Sequence, residues 1–589
     1  MSSPGRLKRL RYALYRTYYR LKYFPFAAER RERFEREERG FIALQIDALS
    51  YDDLLYAIDH GYAPNLKKLI EREDWRLRAY PAGLPSATPA AQAAIFFGTK
   101  ENIPAFRYYE KEADRFIVGS KPDDVQRIRD RLPLSGILDG GSGYVNIYDG
   151  GADHAVFTLA AKKPQRLLQK MGGGRLALLL LLHPFRLVRL VFASAWQYVR
   201  EELLRLYSQV RGEYTYHWWY LPFLHIATNV ILRELQTIAV LLDIYTGAPG
   251  IYTTYNVYDE FAHHYGPQSR TAYSSVRAFD RRVGEIRRML RRVPGRPYDL
   301  YILSDHGQTP SVPYRVQFGE TLGDTIISAV QKGVLVIAGT GDYSAEHEDV
   351  MNFLVQELEG VSEESILPAR RAGQGLGRWL RRHYSPFPLL AEVTKQSQDA
   401  QLAVTYSSSL AHVYWTDPKH ALKYEEIRED PDRRALYYFL VAHTGIGCVI
   451  TRMLDGAHVE NLRGRALVTV AGEVEILFGE DPLAVYASST AERLAIAKLA
   501  VMPSAGDMVL FGAYDPDTGR CICFDDQIGA HGAMGGRQSW PFIMAPRGLV
   551  PDTYTIDDPL DLHPLFRRYT VEPTDPELAL FTGERRTNV

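Results

Sequence analysis

The chain has 589 residues, 46% of them hydrophobic, which excludes a protein too small or too polar to bury a core. By length alone it holds roughly two to four domain-sized units. Its three cysteines, Cys448, Cys521 and Cys523, exclude a disulfide framework and favour a reducing compartment. The net charge is −1, but residues 1–40 carry 12 Lys or Arg against 5 Glu, which leaves −8 for the remainder.

Residues 1–40 are predicted to form a basic amphipathic helix and a charged connector. Leu7, Leu10, Leu14, Tyr18 and Leu21 recur at helical spacing among Arg, Lys and Tyr residues. An interfacial helix on anionic lipid and a solvated helix packed on its own domain explain this pattern equally well. Because no uninterrupted apolar stretch follows the basic residues, we do not expect a secretory signal. We predict a cytoplasmic protein, with peripheral or monotopic attachment to the inner face of the cell membrane left open.

Residues 41–165 are predicted to be the first part of an α/β domain. The apolar run from Phe41 to Ile46 reads as a strand that ends in Asp47. In the stretch Gly83 to Gly98, Ser86 and Thr88 precede good helix formers, so a hydroxyl is held at a helix N-terminus. Backbone N–H groups there favour a phosphate, although an ordinary capped helix with Pro in its first turn explains the same residues. The Gly-rich stretch 140–153 is predicted to be a loop.

Residues 166–250 are predicted to be an apolar helical insertion. The apolar run from Leu176 to Leu182 stops at His183 and Pro184, well short of the ~20 residues that a spanning helix needs. Residues 214–232 contain no Asp, Glu, Lys or Arg, but His and Pro interrupt them. Such interruptions are costly in a bilayer core, so we expect a lid or a segment that dips into one leaflet. A hairpin of two spanning helices remains the alternative.

Residues 251–360 are predicted to be the second part of the α/β domain. The stretch from Gly250 to Tyr258 ends in Asp259, and His263 is four positions further, on the same side of a helical turn. A second apolar run, Leu300 to Ser304, ends in Asp305 and His306. A helix is expected from Thr271 to Arg292, and residues 361–400 are expected to be a basic linker or cap.

Residues 401–589 are predicted to be the third part of the α/β domain and a tail. A strand pair is expected over 401–415, with His412 as a core histidine, followed by a helix and a strand over 435–451. Cys521 and Cys523 are interpreted as strand residues rather than half of a zinc site. Beyond them, His531 lies among glycines that allow close approach of the backbone.

The polar residues at the ends of these segments are expected to converge. In an open α/β sheet the functional groups collect at the carboxyl ends of the strands, even when they are far apart in sequence. Carboxylate oxygens together with imidazole nitrogens suit zinc or manganese better than a calcium cage.

Five stretches together resemble a known family. They are Ile46-Asp47-Ala48, Pro85-Ser86-Ala87-Thr88-Pro89, Asp259 to Pro267, Ser304-Asp305-His306-Gly307, and Gly529 to Gly532 leading into Gln538 to Phe542. Their residues and order are similar to the type I phosphodiesterase/nucleotide pyrophosphatase family of the alkaline phosphatase superfamily. The resemblance covers residues 41–165, 250–345 and 400–545. It implies an α/β fold with an alkaline-phosphatase-like central sheet flanked by helices.

The resemblance also implies a site with two divalent metal ions, zinc by preference and manganese as the alternative. One ion would be held by Asp47, Thr88, Asp305 and His306, and the other by Asp259, His263 and His531. Thr88 would be the nucleophile that forms a phospho-enzyme, with Ser86 as the competing hydroxyl.

The sequence departs from the family at one position. Nucleotide pyrophosphatases have an Asn beyond the nucleophile helix that holds a phosphate oxygen, whereas residues 106–109 contain none. Arg107 and Tyr109 are the candidates to replace it, unless both face solvent or Arg107 pairs with a nearby Glu. His264, beside the expected ligand His263, is assigned a supporting or substrate-binding role. The Cys or Ser segment of sulfatases is missing around Thr88, so sulfate esters are not expected.

We therefore predict a metal-dependent phosphoric ester hydrolase, foremost a phosphodiesterase. A phosphomonoesterase or a headgroup phosphotransferase on the same site, and a non-catalytic membrane-associated scaffold, are the alternatives. The expected partners are a phosphate-ester substrate and an anionic membrane surface; specific binding of nucleic acid is not expected.

Overall fold

The computed structural model describes residues 39–570 apart from 101, 163–183, 212–225, 293–294, 331–333 and 338–400, together with Ala13, Leu14, Thr17, Tyr18, Arg20 and Tyr23. Most of the predicted N-terminal helix, the apolar run 176–182 and the basic segment 361–400 lie outside these residues. The predicted division of the chain into six segments therefore stays a prediction.

The strands are numbered in chain order. They are β1 Gly40–Ile46, β2 Trp75–Ala79, β3 Arg107–Glu110, β4 Arg115–Val118, β5 Ser142–Tyr144, β6 His154–Val156, β7 Gly250–Tyr255, β8 Tyr298–Leu303, β9 Thr309–Pro313, β10 Val334–Ile337, β11 Leu402–Ser407, β12 Leu410–Trp415, β13 Ile446–Met453, β14 Gly456–Glu460, β15 Gly464–Thr469, β16 Val474–Gly479, β17 Met508–Gly512, β18 Tyr514–Asp515, β19 Arg520–Cys523, β20 Gly529–Ala530 and β21 Phe542–Pro546.

The α-helices are numbered in the same way. They are α1 Tyr51–Asp59, α2 Pro64–Arg72, α3 Thr88–Phe97, α4 Pro122–Arg131, α5 Pro184–Arg211, α6 Arg233–Thr246, α7 Val257–Tyr265, α8 Arg270–Arg292, α9 Tyr314–Phe318, α10 Leu322–Val330, α11 Tyr424–Glu429, α12 Pro431–Ala442, α13 Thr490–Val501 and α14 Leu562–Arg567. A π-helical turn, Ala227–Leu232, precedes α6, and short 3-10 turns span Gly536–Ser539 and Pro559–Asp561.

A seven-stranded mixed sheet, in the order β2-β21-β8-β1-β7-β5-β6, forms the centre of the fold. The central strand β1 is buried along its whole length and pairs in parallel with β7 and β8. A near-continuous apolar sequence is what a parallel strand covered on both faces requires. Gln45 is opposite Leu303, and Ile46 is opposite Tyr255, so the carboxyl ends of these three strands are aligned. The predicted α/β architecture with a central sheet flanked by helices is confirmed.

A second sheet of eight strands runs in the order β10-β11-β12-β17-β13-β14-β15-β16. The strand pair predicted over 401–415 is the antiparallel pair β11–β12, and the predicted helix and strand over 435–451 correspond to α12 and β13. His412 on β12 is fully buried, which confirms it as a core histidine.

A small sheet connects these two larger sheets near the candidate site, with the order β18-β19-β9-β20. Cys521 and Cys523 lie on β19 and are buried, which confirms that they are strand residues. The pair Ala530 and Thr309 joins β20 to β9, so the residues after β20 are held beside the chain that follows β8.

The predicted loop 140–153 is partly wrong, because β5 occupies residues 142–144 and pairs in parallel with β7. β6 begins just after that stretch and pairs in parallel with β5. Three-residue strands that contain glycine are too short to show an alternating apolar pattern, so the sequence did not reveal them.

Within the predicted insertion 166–250, the described residues form α5, the π-helical turn and α6. Glu234 at the start of α6 is buried and lies within 3.1 Å of guanidinium nitrogens of Arg186, Arg189 and Arg282. This cluster fixes α5 against α6 and α8. Among the described residues, no helix is both long and apolar enough to span a bilayer.

Candidate active site

Thr88 lies at the N-terminus of α3, where the sequence analysis placed it. Ala87 is the N-cap residue in an extended conformation, and Pro89 occupies the first turn. The Thr88 hydroxyl oxygen lies 3.2 Å from Asp47 Oδ1 and 3.2 Å from His306 Nε2. Since the unpaired N–H groups of a helix N-terminus favour negative charge, the hydroxyl stands where an anion is stabilised.

One group of candidate ligands, which we name the aspartate-rich cluster, consists of Asp47, Asp305 and His306. One potential ligand atom from each residue lies within 4.8 Å of the others. Asp47 directly follows β1, while Asp305 and His306 follow β8 after a single residue, so the aligned strand ends bring them together. His306 Nε2 is 3.8 Å from Asp47 Oδ1 and 3.5 Å from Asp305 Oδ2.

The second group, the histidine-rich cluster, consists of Asp259, His263 and His531, whose potential ligand atoms also lie within 4.8 Å of one another. Asp259 and His263 are one helical turn apart on α7, with 3.4 Å between Asp259 Oδ1 and His263 Nε2. His531 directly follows β20. Its ring lies 5.0 Å from that of His263 and 4.2 Å from that of His306, centroid to centroid, so the two clusters are adjacent.

A backbone carbonyl group next to each of the three histidines fixes the orientation of its ring. Nδ1 of His263 lies 2.8 Å from the Gly529 carbonyl, Nδ1 of His531 lies 2.9 Å from the Ser86 carbonyl, and Nδ1 of His306 lies 3.0 Å from the Gly307 carbonyl. Because a carbonyl only accepts, each Nδ1 carries the proton when the ring is neutral. Each Nε2 then carries a lone pair that can coordinate a cation, which is the usual arrangement of metal-binding histidines.

The side chain of Asp305 provides a test of whether a cation fits. Asp305 is completely buried; its Oδ1 accepts a hydrogen bond from the Ala48 N–H at 3.3 Å, whereas its Oδ2 accepts none. A buried carboxylate oxygen without a hydrogen bond is expensive unless a cation compensates it. Asp47 and Asp259 are also buried, at 5% and 6% exposure. Three buried carboxylates beside three correctly oriented imidazoles fit two divalent cations.

The pKa values of Asp259 and His531 are both lowered, for different reasons. Burial would raise the pKa of Asp259, but the adjacent His263, His531 and His306 outweigh burial and lower it below its ordinary value. Burial and then His306 hold the pKa of His531 well below its ordinary value. These shifts favour ionised Asp259 and neutral His531, the protonation states that bind a metal.

The hydroxyl of Ser86 is engaged in a different way from that of Thr88. It donates to the Ala533 carbonyl at 2.8 Å and accepts from the Gly532 N–H at 2.8 Å. The Ser86 side chain is 1% exposed. These bonds join the turn before α3 to the chain around His531, and they give the Ser86 hydroxyl a structural role.

Arg107 and Tyr109, the proposed phosphate contacts, are both buried, so the alternative that they face solvent is wrong. Nη1 of Arg107 donates to the Tyr406 carbonyl at 3.0 Å and lies 3.5 Å from Asp525 Oδ2. The acidic partner of Arg107 is therefore Asp525, whereas the alternative from the sequence was a nearby Glu. The Tyr109 hydroxyl donates to Asp114, and its ring packs with Phe116 and Tyr414. These contacts give no support to a substrate role for Tyr109.

His264 lies next to the ligand candidate His263 but on a different side of α7. Its ring is partly buried and contacts that of Tyr265 at 6.3 Å, centroid to centroid. It is not a member of either cluster. Its assignment to substrate binding stays a prediction.

Sequence reasoning missed the residues that support the clusters. Gln308 donates from Nε2 to Oδ1 of Asp259 and, at 3.2 Å, to its backbone carbonyl. The Ser408 hydroxyl accepts from the His531 N–H at 3.2 Å, while Oδ2 of the buried Asp525 accepts from the Ser408 N–H at 2.7 Å. Gln308 follows the Asp-His-Gly stretch by one residue, but a lone Gln carries no motif. Ser408 and Asp525 come from distant loops that only the fold brings together.

A family model matches the part of the chain that carries four of the candidate ligands. Residues 209–419 match the family model of type I phosphodiesterase / nucleotide pyrophosphatase. Over these residues the resemblance to that family is confirmed. The match includes Asp259, His263, Asp305 and His306; Asp47, Thr88 and His531 lie outside it and are joined to these residues by the fold.

Several solved structures are similar to this chain at low identity. Phosphonoacetate hydrolase from Sinorhizobium meliloti 1021, in complex with phosphonoformate, is 15% identical over 90% of this chain and 95% of its own, with a TM-score of 0.42. An inactive variant of murine ectonucleotide pyrophosphatase / phosphodiesterase 5, in complex with AMP, is 12% identical over 90% and 95%, with a TM-score of 0.40. The human counterpart is 11% identical over 90% and 93%, with a TM-score of 0.41. No curated protein sequence gives a significant match.

Proposed function

We propose that this chain hydrolyses phosphodiesters, with Thr88 as the nucleophile and two divalent metal ions, zinc by preference, held by the two clusters. The observation that carries the proposal is the position of the Thr88 hydroxyl, 3.2 Å from both Asp47 and His306 at the N-terminus of α3.

In the proposed reaction, the Thr88 oxygen attacks phosphorus, and the bond from phosphorus to the leaving alcohol breaks. The carboxylate of Asp47, within hydrogen-bond distance, is placed to accept the Thr88 proton, which then passes to the leaving alkoxide and completes the alcohol. The N-terminus of α3 stabilises the charge on the phosphoryl oxygens. Water then attacks the phosphothreonine and releases the monoester, which regenerates the hydroxyl.

The chain would hold one cation with Asp47, Thr88, Asp305 and His306 and the other with Asp259, His263 and His531. When bound, two cations supply Lewis acidity for phosphoryl transfer and favour the ionised hydroxyl. Zinc is preferred because the sites combine imidazole nitrogen with carboxylate oxygen, and manganese is the alternative.

The decisive experiment compares wild type with Thr88→Ala. We expect the purified protein to contain close to two transition-metal ions per chain and to hydrolyse bis(p-nitrophenyl) phosphate, while Thr88→Ala loses turnover at an unchanged melting temperature. Thr518→Ala is the control, because Thr518 is exposed and also bonds to an aspartate, Asp515, at 2.8 Å. Full activity of Thr88→Ala would rule out the proposed nucleophile.

Two rival functions use the same residues. Faster hydrolysis of p-nitrophenyl phosphate than of the diester would favour a phosphomonoesterase, and transfer of phosphate to an added alcohol would favour a headgroup phosphotransferase. Metal-free protein of wild-type stability, without turnover of either ester, would favour the non-catalytic scaffold. The free-energy cost of burying the carboxylates of Asp47, Asp259 and Asp305 favours the metal-binding enzyme over the scaffold, because bound cations would offset that cost.

We also propose that the protein binds the anionic inner face of the cell membrane and takes its phosphate-ester substrate from there. The excess of 12 basic over 5 acidic residues in positions 1–40 supports attraction to anionic lipid.

A further inference from the structure

Helix α5 has the reverse of the usual amphipathic arrangement. The side that faces the protein is polar: Gln197 and Glu201 are buried, each at 8% exposure, and Gln197 donates to Glu201 at 2.8 Å. On the same side of the helix, Arg186 contacts Glu234 and Arg200 contacts Ser274. Polar groups therefore fix α5 to the domain.

The opposite side of α5 is apolar and exposed, and we name it the outer stripe. Its members recur every three or four positions, the spacing of one helix face. They are Val188 (52% exposed), Val191 (62%), Phe192 (71%), Trp196 (66%), Val199 (46%), Leu203 (57%), Leu206 (53%) and Val210 (86%).

The outer stripe is too large to be ordinary surface. At about 200 Å² per aromatic side chain, Phe192 and Trp196 alone expose on the order of 250 Å². The six aliphatic members extend the patch along a helix of 28 residues, about 42 Å long. Contiguous apolar patches beyond a few hundred Å² mark binding sites for proteins or membranes.

The charges around the outer stripe favour an anionic lipid surface as its partner. Helix α5 contains five Arg and two Glu. Arg186 faces the protein and pairs with Glu234, whereas Arg189 and Arg205 keep 54% and 43% of their side chains exposed. Glu201 is buried and accepts from the Tyr265 hydroxyl at 3.0 Å, and Glu202 pairs with Arg205 at 2.9 Å. No member of the stripe is acidic. The same basic excess recurs in residues 1–40, and Tyr23, within that range, stacks on Tyr245 of α6 at 4.9 Å between ring centroids.

We propose that α5 is an interfacial helix, whose outer stripe docks along its length into the headgroup region of an anionic bilayer. Apolar and aromatic residues on one side, with arginines at the margins, are the features of helices that lie in the membrane interface. The consequence that the phosphate ester is a membrane component rests on the proposed function, but the docking itself does not.

Direct contacts connect α5 to the candidate active site. Glu201 is hydrogen-bonded to Tyr265, and the Arg200 guanidinium lies 5.5 Å from the centre of the Phe261 ring. Tyr265 and Phe261 both belong to α7, which carries Asp259 and His263. A bilayer under the outer stripe is therefore one helix away from the histidine-rich cluster.

Vesicle binding tests the proposal in the full-length Thr88→Ala protein, so that turnover plays no part. Since Cys448, Cys521 and Cys523 are all buried, Phe192→Cys introduces one accessible thiol for an environment-sensitive fluorophore. We expect a blue shift with vesicles of phosphatidylcholine and phosphatidylglycerol, and less with phosphatidylcholine alone. Phe478→Cys is the matched control at 73% exposure on β16, and its label should not respond.

A second variant measures the contribution of the stripe. Phe192→Ser/Trp196→Ser should lower the partition coefficient about tenfold or more, because exposed side chains leave the folded core intact while the apolar area is lost. Phe478→Ser/Leu454→Ser removes equally exposed residues and should bind like the parent.

Three results would overturn the proposal. One is equal binding of the stripe variant and its control. Another is a concentration-dependent dimer in sedimentation that only the stripe variant loses, which would assign the face to a second copy of the chain. The last is a thiol at position 192 that resists labelling, which would show that the chain itself covers the face. Vesicle binding, together with no turnover of any ester by the metal-loaded wild-type protein, would leave the docking intact and refute only the proposed function.

Discussion

Ser86 and Thr88 lie two positions apart, but their hydroxyl groups have different partners. The Ser86 hydroxyl is held between Ala533 and Gly532, while that of Thr88 faces Asp47 and His306. We expect Ser86→Ala to lower the free energy of unfolding by about 1–2 kcal/mol and to retain the ability to form a phospho-enzyme. Urea unfolding and radiolabel incorporation measure the two effects. Loss of labelling in the folded Ser86→Ala protein would return Ser86 to candidacy.

Lys111 and Asp507 form a buried ion pair, with both side chains at most 5% exposed and 3.0 Å between nitrogen and oxygen. Burial lowers the pKa of Lys111 and raises that of Asp507. Removal of one partner leaves the other charge uncompensated. We expect Lys111→Met to cost about 3–5 kcal/mol of unfolding free energy.

A partly exposed ion pair provides the control. Arg493 and Asp481 are 25% and 21% exposed, so Arg493→Met should cost less than about 1 kcal/mol. Denaturant titration compares the two variants. Similar losses would show that burial does not determine the strength of these pairs.

At the residue scale, the sequence pointed to the candidate site through residues with distinctive chemistry. Asp47, Asp259, Asp305, His306 and His531 each follow an apolar run or a glycine turn, and the structure places them in two adjacent clusters. The supporting residues Gln308 and Ser408 could not be found, because their roles depend on distances across the fold. The burial of Arg107 was missed because its partner, Asp525, is 418 positions away.

At the scale of elements, the turn after β8 depends on a glycine. A Cβ on Gly307 would lie 2.1 Å from the Arg537 carbonyl oxygen, a backbone atom that cannot move aside alone. We expect Gly307→Ala to displace His306, with a loss of metal content and of several kcal/mol of stability. Metal analysis and thermal unfolding measure both.

Gly61 is the matched control for that substitution. It ends the turn after α1 with a φ of +74°, and no atom lies within 4 Å of a Cβ there. Gly61→Ala should therefore cost only about 1 kcal/mol of backbone strain and leave the metal content unchanged. If both variants behave alike, crowding around Gly307 is not what requires glycine.

The elements that the sequence predicted are those with a long, clear pattern. The helix expected over 271–292 is α8, at Arg270–Arg292, and the strand expected to end at Ile46 is β1. The strands β14 to β16 were not predicted. β16 has apolar residues at alternate positions, Val474, Ile476 and Phe478, but it lies at the edge of its sheet and is largely exposed, so its place in the fold does not follow from burial.

For the whole molecule, buried histidines make stability depend on pH. Burial lowers the pKa of His412 to about 3 and that of His458 to about 4, and the Gly506 N–H donates to Nδ1 of His412 at 2.8 Å. In the unfolded chain the pKa of both residues is about 6.5, so below that pH the unfolded state binds more protons than the folded state. The stabilisation that these two neutral histidines contribute is complete above about pH 6.5, and it decreases as the pH falls towards their pKa values in the folded protein.

We expect these two residues together to remove on the order of 3–4 kcal/mol of unfolding free energy between about pH 6.5 and pH 5. Denaturant unfolding across that range measures the slope. His412→Asn keeps an acceptor for the Gly506 N–H but does not titrate, so its slope should be shallower. An unchanged slope would assign the acid sensitivity to other groups.

The register of β1 between β7 and β8 has a consequence for how activity arises during folding. A slip of one residue would move Asp47 by about 3.3 Å and turn its side chain to the opposite face of the sheet. The cation-binding geometry therefore cannot exist in a partly paired intermediate. Metal uptake during refolding should be a late event that reports completion of the central sheet.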